Sequence, residues 1–375
     1  MIETGAPVAL EDQPAHLEIT GLAPRDTVTV TSQAVDNRGK PWQSQAVFRA
    51  DAHGDLALDT TAPLSGSYRG VDGMGLFWSM NTPSLAPDQA SFPTNTSFSV
   101  RISVSAHGRT LATRSLTREW IGPGVTTTVL TLAKDKVVGD LYLPRAGTPR
   151  HPAVLVFGGS EGGNSQKAVA SLLASHGYPA LSLAYFDEPG LPSTLTDIPL
   201  EYFVTAAKLL AAQPAVDPAH VIAMGSSRGS EAALLLGEDY PDLIHGVVVN
   251  APSAEVNTGD GGAAWTQGGD PVPQLPIALN HISGPVLAIT GADDQLWPSP
   301  DWSQQIMNTL STDGDRYPHQ ALIYPNAGHW AGGVPFYPEG TEDPGGNDLG
   351  GTRAGDAAAQ EAGWPRVLAL LASLA

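Results

Sequence analysis

The stretch Val221-Ile222-Ala223-Met224-Gly225-Ser226-Ser227-Arg228-Gly229-Ser230-Glu231-Ala232-Ala233-Leu234-Leu235-Leu236 decides how the rest of the chain is read. An apolar run of strand length meets a Gly-x-Ser-x-Gly turn and then a run of good helix formers. Strand, tight turn and helix in that order carry an exposed nucleophilic serine, which would be Ser227. The two glycines have a steric purpose, because so sharp a turn strains the nucleophile's backbone and brings neighbouring chain too close for a Cβ. At the start of the helix the next backbone N–H, that of Arg228, points where an oxyanion would form, and the helix dipole favours negative charge there. In isolation the five residues are equally well explained as a Gly-rich turn, since the chain has 41 glycines.

The context must therefore supply a carboxylate and then a histidine, later in the chain and at strand ends. Val286-Leu287-Ala288-Ile289-Thr290-Gly291 reads as a buried strand, followed by Ala292-Asp293-Asp294-Gln295-Leu296-Trp297-Pro298. The spacing Gly-x-x-Asp before an apolar pair and Pro favours Asp294 as the acid, with Asp293 as its turn-capping alternative. Leu322-Ile323-Tyr324-Pro325-Asn326-Ala327-Gly328-His329 repeats the pattern and presents His329 as the base. His281 and His319 precede strands and so enter at the wrong end of a parallel sheet. Ala153-Val154-Leu155-Val156-Phe157 empties into Gly158-Gly159-Ser160-Glu161-Gly162-Gly163, a Gly-rich loop suited to a second oxyanion donor, either Gly159 or Ser160. It has neither the Gly-Lys-Ser/Thr ending of a phosphate loop nor dinucleotide-site spacing.

Two kinds of patterning divide the chain near residue 145. Before it, short alternating runs such as 26–31, 46–50 and 97–104 are broken by Gly, Pro, Asp and Asn, which predicts an antiparallel β-sandwich over 1–144. After it, apolar strands alternate with helical stretches at 166–176, 200–212, 230–236, 302–310 and 355–374. That predicts a mostly parallel sheet with helices on both faces over 145–375. Two Gly/Pro-rich segments, 256–276 and 332–353, interrupt the second region and are expected to be lids, binding loops or mobile excursions, the first following a strand that would let it overhang the site. Trp42, Tyr68 and Trp78 are expected in the core or at the domain interface.

Composition narrows the function classes. A chain of 375 residues suits two domains of about 100–200 residues each. With 38 acidic against 19 basic residues the formal charge is −19, and no Lys/Arg cluster occurs, so nucleic acid is not an expected partner. Zero cysteines exclude a catalytic thiol, a disulfide framework and a thiolate metal site, and the histidines lack metal-ligand spacing. No apolar stretch reaches spanning length and the first residues lack a basic region followed by an apolar one, which sets the expectation of a cytoplasmic protein without membrane insertion.

These residues resemble the acyl-CoA thioesterase and bile acid-CoA:amino acid N-acyltransferase family over nearly the whole chain. In the first region the resemblance rests on Ser44-Gln45-Ala46-Val47-Phe48-Arg49-Ala50-Asp51, Gly66-Ser67-Tyr68-Arg69-Gly70-Val71 and Gly75-Leu76-Phe77-Trp78-Ser79-Met80. In the second it rests on Leu183-Ala184-Tyr185-Phe186, Leu200-Glu201-Tyr202-Phe203, the serine turn, Gly291-Ala292-Asp293-Asp294 and Tyr324-Pro325-Asn326-Ala327-Gly328-His329. It implies an immunoglobulin-like sandwich before an α/β-hydrolase domain, a triad of Ser227, Asp294 and His329, and an acyl thioester of coenzyme A as substrate, with no separate cofactor. Arg228 stands where Leu or Lys is more familiar in the family. The C-terminus Ala372-Ser373-Leu374-Ala375 is not the Ser-Lys-Leu peroxisomal address.

A serine forms an oxygen ester, which activated water cleaves readily, whereas a cysteine forms a thioester, which an amine prefers. Lack of cysteine therefore favours hydrolysis over transfer. Arg228, Glu161 and Tyr185 are candidate substrate contacts. Three other readings stay open: a carboxylester hydrolase, an acyltransferase or cyclase serving coenzyme A or carrier-protein thioesters, and a non-catalytic binding protein on a hydrolase scaffold. The sandwich is either a packing partner or one wall of the cleft.

Overall fold

The computed structural model describes residues 1–93, 96–312, 314, 316–343 and 345–375. The alternating runs of the N-terminal region form β1 (Ile2–Glu3), β2 (Val8–Leu10), β3 (Glu18–Ile19), β4 (Thr27–Val35), β5 (Pro41–Arg49), β6 (Leu56–Ala57), β7 (Ser65–Gly66), β8 (Ser97–Ala106) and β9 (Arg109–Glu119). They make two sheets, β1-β3-β6 and β2-β9-β8-β4-β5-β7, antiparallel except where β2 joins β9. Inward residues fall at every second position, Val28, Val30, Ser32 and Ala34 on β4 and Phe98, Val100, Ile102 and Val104 on β8, as a sheet with one buried face requires. Trp42, Tyr68 and Trp78 are all buried in this core, together with the short helix α1 (Gly75–Trp78).

The second region holds β10 (Thr126–Leu130), α2 (Leu132–Asp135), β11 (Val138–Leu143), β12 (His151–Phe157), α3 (Lys167–Ser175), β13 (Ala180–Ala184), β14 (Ile198–Pro199), α4 (Leu200–Ala211), β15 (Val216–Ser226), α5 (Arg228–Asp239), β16 (Val247–Asn250), β17 (Trp265–Gln267), β18 (Asp270–Pro271), β19 (Val286–Gly291), α6 (Ser299–Thr312), β20 (Gln320–Tyr324) and α7 (Arg353–Ser373). Eight strands form one sheet in the order β10-β11-β13-β12-β15-β16-β19-β20, parallel from β13 to β20 and antiparallel at β10 and β11. The expected division at 144/145 is therefore corrected. The strands β10 and β11 precede it yet belong to the large sheet, and their alternation reflects an antiparallel edge pair rather than the sandwich.

Strands of the large sheet bury both faces. On β12, Ala153, Leu155 and Phe157 face the core containing α4, α5 and α6, while Val154 and Val156 face the one containing α3 and α7. The two regions are joined by inserted groups: Phe336 and Ala357 lie in the sandwich core, and Asp12 Oδ2 accepts from Trp364 Nε1 at 2.7 Å. Among the described residues no helix is long and apolar enough to cross a membrane.

Candidate active site

The C-terminal ends of β12, β15, β19 and β20 place the Gly-rich loop, Ser227, Asp294 and His329 on one edge of the sheet, the edge where parallel sheets carry their chemistry. Ser227 stands between β15 and α5 with φ 52° and ψ −123°, a conformation that costs a non-glycine residue about 1–3 kcal/mol. Packing holds it there. The Ser227 N–H donates to the Asn250 carbonyl at 2.9 Å, and Ser230 N–H donates to the Ser227 carbonyl at 2.9 Å. Both glycines of the motif are sterically required: a Cβ on Gly225 would lie 2.2 Å from the Gly229 carbonyl oxygen, and one on Gly229 would lie 2.2 Å from that of Gly158. The helix α5 is buried almost throughout, so the platform beneath Ser227 is rigid.

Asp294 and His329 have side-chain exposures of 0% and 4%. Asp294 Oδ2 lies 2.8 Å from His329 Nδ1. A carboxylate only accepts, so the imidazole proton sits on Nδ1 and Nε2 is left as the acceptor. Nε2 is buried and has no hydrogen-bond partner among the described residues. The neighbouring Asp293 is exposed, and its N–H is bonded to the Ala327 carbonyl at 2.9 Å, which helps fix the loop bearing His329. His281 pairs with Glu238 at 2.8 Å, and His319 Nδ1 accepts from the Val286 N–H, so both are occupied at the opposite edge of the sheet.

The Gly-rich loop lies directly against the serine, since a Cβ on Gly159 would come within 2.7 Å of Ser227 Cβ. The Gly159 N–H already donates to Glu161 Oε2 at 2.9 Å, and Ser165 Oγ donates to Glu161 Oε1 at 2.6 Å. Tyr185 is buried, and its hydroxyl reaches the carbonyls of Gly158 and Gly159 at 2.9 and 3.0 Å. Burial and the Glu161 charge raise its phenol well above the ordinary range, so it stays a hydrogen-bond donor.

Arg228 follows Ser227 in the chain, but its guanidinium is engaged elsewhere. Its guanidinium lies 3.4 Å from Glu231 Oε1 and donates to the Asn257 carbonyl at 3.1 Å. Burial raises the Glu231 carboxyl, against the pull of Arg228 and of hydrogen bonds from Trp265 and Asn257. None of Arg228, Glu161 and Tyr185 lines the cleft at the serine; Glu161 and Tyr185 brace the Gly-rich loop and Arg228 is part of a buried ion pair.

A cleft of about 800 Å³ opens at Ser227 and His329. One wall is apolar and aromatic, from Trp120, Ile121, Val169, Val334 and Tyr337, and Thr96 and Trp120 bring the N-terminal region into it. The sandwich thus contributes to the cleft as well as to packing. Lys167 supplies the cationic side chain of the lining, with Asp140 Oδ2 3.0 Å from its Nζ. Glu339 also lines it. Burial pushes its carboxyl up to about 7, opposed by the hydrogen bond from Gln360 and the charge of Arg353. No group of three or more His, Asp or Glu among the described residues is placed to hold a metal ion.

Several site residues escaped the sequence reading. Asn250 ends the otherwise apolar β16, and a polar residue at the C-terminal end of a buried parallel strand is a readable sign. Ser299, which donates to Asp294 Oδ2, and Asp356, whose Oδ1 accepts the Gly328 N–H at 2.7 Å, left no such sign.

Comparison with known proteins agrees along both regions. The profile of the acyl-CoA thioester hydrolase/BAAT N-terminal region matches residues 12–131, and that of the BAAT/acyl-CoA thioester hydrolase C terminal matches 198–261 and 264–373. Mouse acyl-coenzyme A thioesterase 6 is 31% identical over 353 residues, covering 85% of this chain and 82% of the relative. Mouse peroxisomal succinyl-coenzyme A thioesterase is 28% identical over 368 residues, covering 87% and 84%. Among solved structures, a dienelactone hydrolase-like promiscuous phosphotriesterase from metagenomic libraries covers 67% of this chain and 98% of its own, with a TM-score of 0.47 and 22% identity.

Proposed function

Since the chain belongs to the acyl-CoA thioester hydrolase/BAAT family, we propose that it hydrolyses acyl-CoA thioesters through an acyl-serine intermediate on Ser227. The observation that carries this reading is the arrangement of His329: Nδ1 held by Asp294, Nε2 buried with no partner among the described residues, and its ring in the same cleft as Ser227. His329 Nε2 takes the Ser227 proton as Oγ attacks the thioester carbonyl, and Asp294 stabilises the imidazolium and keeps its tautomer. Collapse of the tetrahedral intermediate expels the coenzyme A sulfur, which takes the proton from the His329 imidazolium and departs as the thiol, leaving the acyl group on Oγ and His329 neutral again. A water deprotonated by His329 then attacks the ester, and Ser227 leaves with the returned proton.

The Arg228 N–H is one oxyanion donor in this scheme. Ser160 is the better candidate for the second, because the Gly159 N–H is engaged by Glu161. Loss of one such donor typically costs about 2.7–4 kcal/mol. Absence of cysteine supports water as the acceptor, and the apolar wall of the cleft suits an acyl chain. Coenzyme A enters as part of the substrate and no separate cofactor takes part.

The test is release of free coenzyme A from short, medium, long and branched acyl-CoA esters by the native chain and by Ser227→Ala. One ester class should turn over, with the variant slower by at least about a hundredfold. Thioesters that survive while fluorophosphonate still labels Ser227 would rule out thioester hydrolysis and point to an oxygen ester or an acyl acceptor.

A further inference from the structure

Asp294 is bound more completely than its partnership with His329 requires. Oδ1 accepts the backbone N–H groups of Leu296 at 2.9 Å and Trp297 at 3.3 Å. Oδ2 accepts from His329 Nδ1 at 2.8 Å and from the hydroxyl of Ser299, the first residue of α6. Four donors fill the lone-pair sites of one carboxylate. Because the carboxylate cannot donate, the Ser299 proton must point at Oδ2, and the Ser299 oxygen is free to accept. Thr290 Oγ1, at the end of β19, lies 2.7 Å from it and supplies that donor. Ser299 and Thr290 are both 0% exposed, so no water stands ready to replace either hydroxyl.

We propose that Ser299 is a positioning residue of the active site, fixing the Asp294 carboxylate for His329 through the chain Thr290, Ser299, Asp294, His329. This rests on the triad reading above. Two consequences follow from the geometry. The hydroxyl fixes rotation of the carboxylate about Cβ–Cγ, so that Oδ2 rather than the gap between the oxygens meets Nδ1. It also takes up part of the negative charge of the oxygen that His329 uses.

The experiment compares Ser299→Ala and Thr290→Val with the native chain by steady-state thioester hydrolysis and by the pH dependence of fluorophosphonate labelling of Ser227. Labelling needs the His329 base but no acyl-CoA. Ser299→Ala should lower kcat and the labelling rate by about tenfold, the worth of one hydrogen bond to a charged group. KM should stay nearly unchanged, and the acidic limb of both profiles should move. Thr290→Val should move both in the same direction by less. The other carboxyls bordering the histidine, Asp356 behind Gly328, Glu339 across the cleft and the exposed Asp293, are untouched by either change.

A rate loss that follows the loss of folded protein in thermal unfolding, with the limb unmoved, would make Ser299 merely structural and overturn the proposal. So would native rates and a native limb in Ser299→Ala. Full labelling in His329→Ala would instead remove the triad reading itself, so the two failures are told apart.

Discussion

The two Gly/Pro-rich segments of the second region look alike in sequence and do different work in the structure. In 256–276, Trp265 is fully buried beneath α5, donating to Glu231 Oε2 at 2.8 Å and packing on Tyr185 and Phe203. None of its described residues lines the cleft, so the expected overhang is not there. In 332–353, Gly332, Val334, Tyr337 and Glu339 form the cleft wall, Phe336 enters the sandwich core, and Arg353 fastens the far end. What separates them is their anchors. The first is held by a buried indole against the elbow helix, and the second by an arginine and aromatics against the other domain. Gly and Pro content marks both as irregular but carries no information about the surface each one covers.

The largest expected effect of breaking this contrast comes from Arg353→Ala. The guanidinium donates to the carbonyls of Glu339 at 2.7 Å and of Trp78 and Met80 at 2.9 Å each, which ties the cleft wall to the sandwich. Three carbonyls would lose a donor, and unmade hydrogen bonds of this kind sum to about 3 kcal/mol or more. Urea unfolding should show that loss, and the acyl-CoA panel should show a changed chain-length preference, because the wall proposed to receive the acyl chain is no longer held. Unchanged preference in the folded variant would mean that the wall keeps its shape without the arginine.

How much of this was legible follows from range. The serine turn, the acid and the histidine were readable because each sits where an apolar run stops, a local event that a sequence displays directly. The choice of Asp294 over Asp293 followed from spacing, and in the structure Asp294 is the one that meets His329. Strands β10 and β11 were assigned to the wrong domain because an antiparallel edge pair alternates as a sandwich strand does, and partner choice is set across the sheet. Ser299 is five residues from Asp294, yet its role depends on how α6 packs on β19. Arg228 was placed near the substrate by its position beside Ser227, whereas a helix residue at N1 can turn its side chain to the opposite side from its amide.

A middle-sized effect is expected from Trp265→Phe, which keeps most of the buried ring and removes the indole donor. Glu231 would keep Arg228, 3.4 Å away, and Asn257 Nδ2, at 3.0 Å from Oε1, but lose its 2.8 Å bond on Oε2. Loss of one donor to a buried charged group costs about 2 kcal/mol. Stability should fall by that order while the chain-length preference stays native, since nothing in 256–276 lines the cleft. A shifted preference in this variant would erase the distinction between the loops and show that the elbow helix transmits changes to the cleft.

The last test sharpens the comparison through pH. Glu339 has a carboxyl raised by burial from 4.5 to about 7, so between those values the folded chain holds a proton that the unfolded chain has released. The folded state binds more protons there, so stability falls as pH rises through that window and levels off above it. Glu339→Gln keeps an acceptor for Gln360 Nε2 and carries no charge to bury. Its stability relative to the native chain should therefore be near zero at pH 4.5, grow by about 1.4 kcal/mol for each pH unit through the window, and level off above it. A slope will remain in the variant, because burial also pushes Asp356 up to about 7. Urea unfolding of the two proteins across pH 4.5–8 measures the difference directly. Parallel curves would mean that Glu339 titrates in the native cleft as it does in the unfolded chain, so that at neutral pH the wall of the cleft would carry a negative charge.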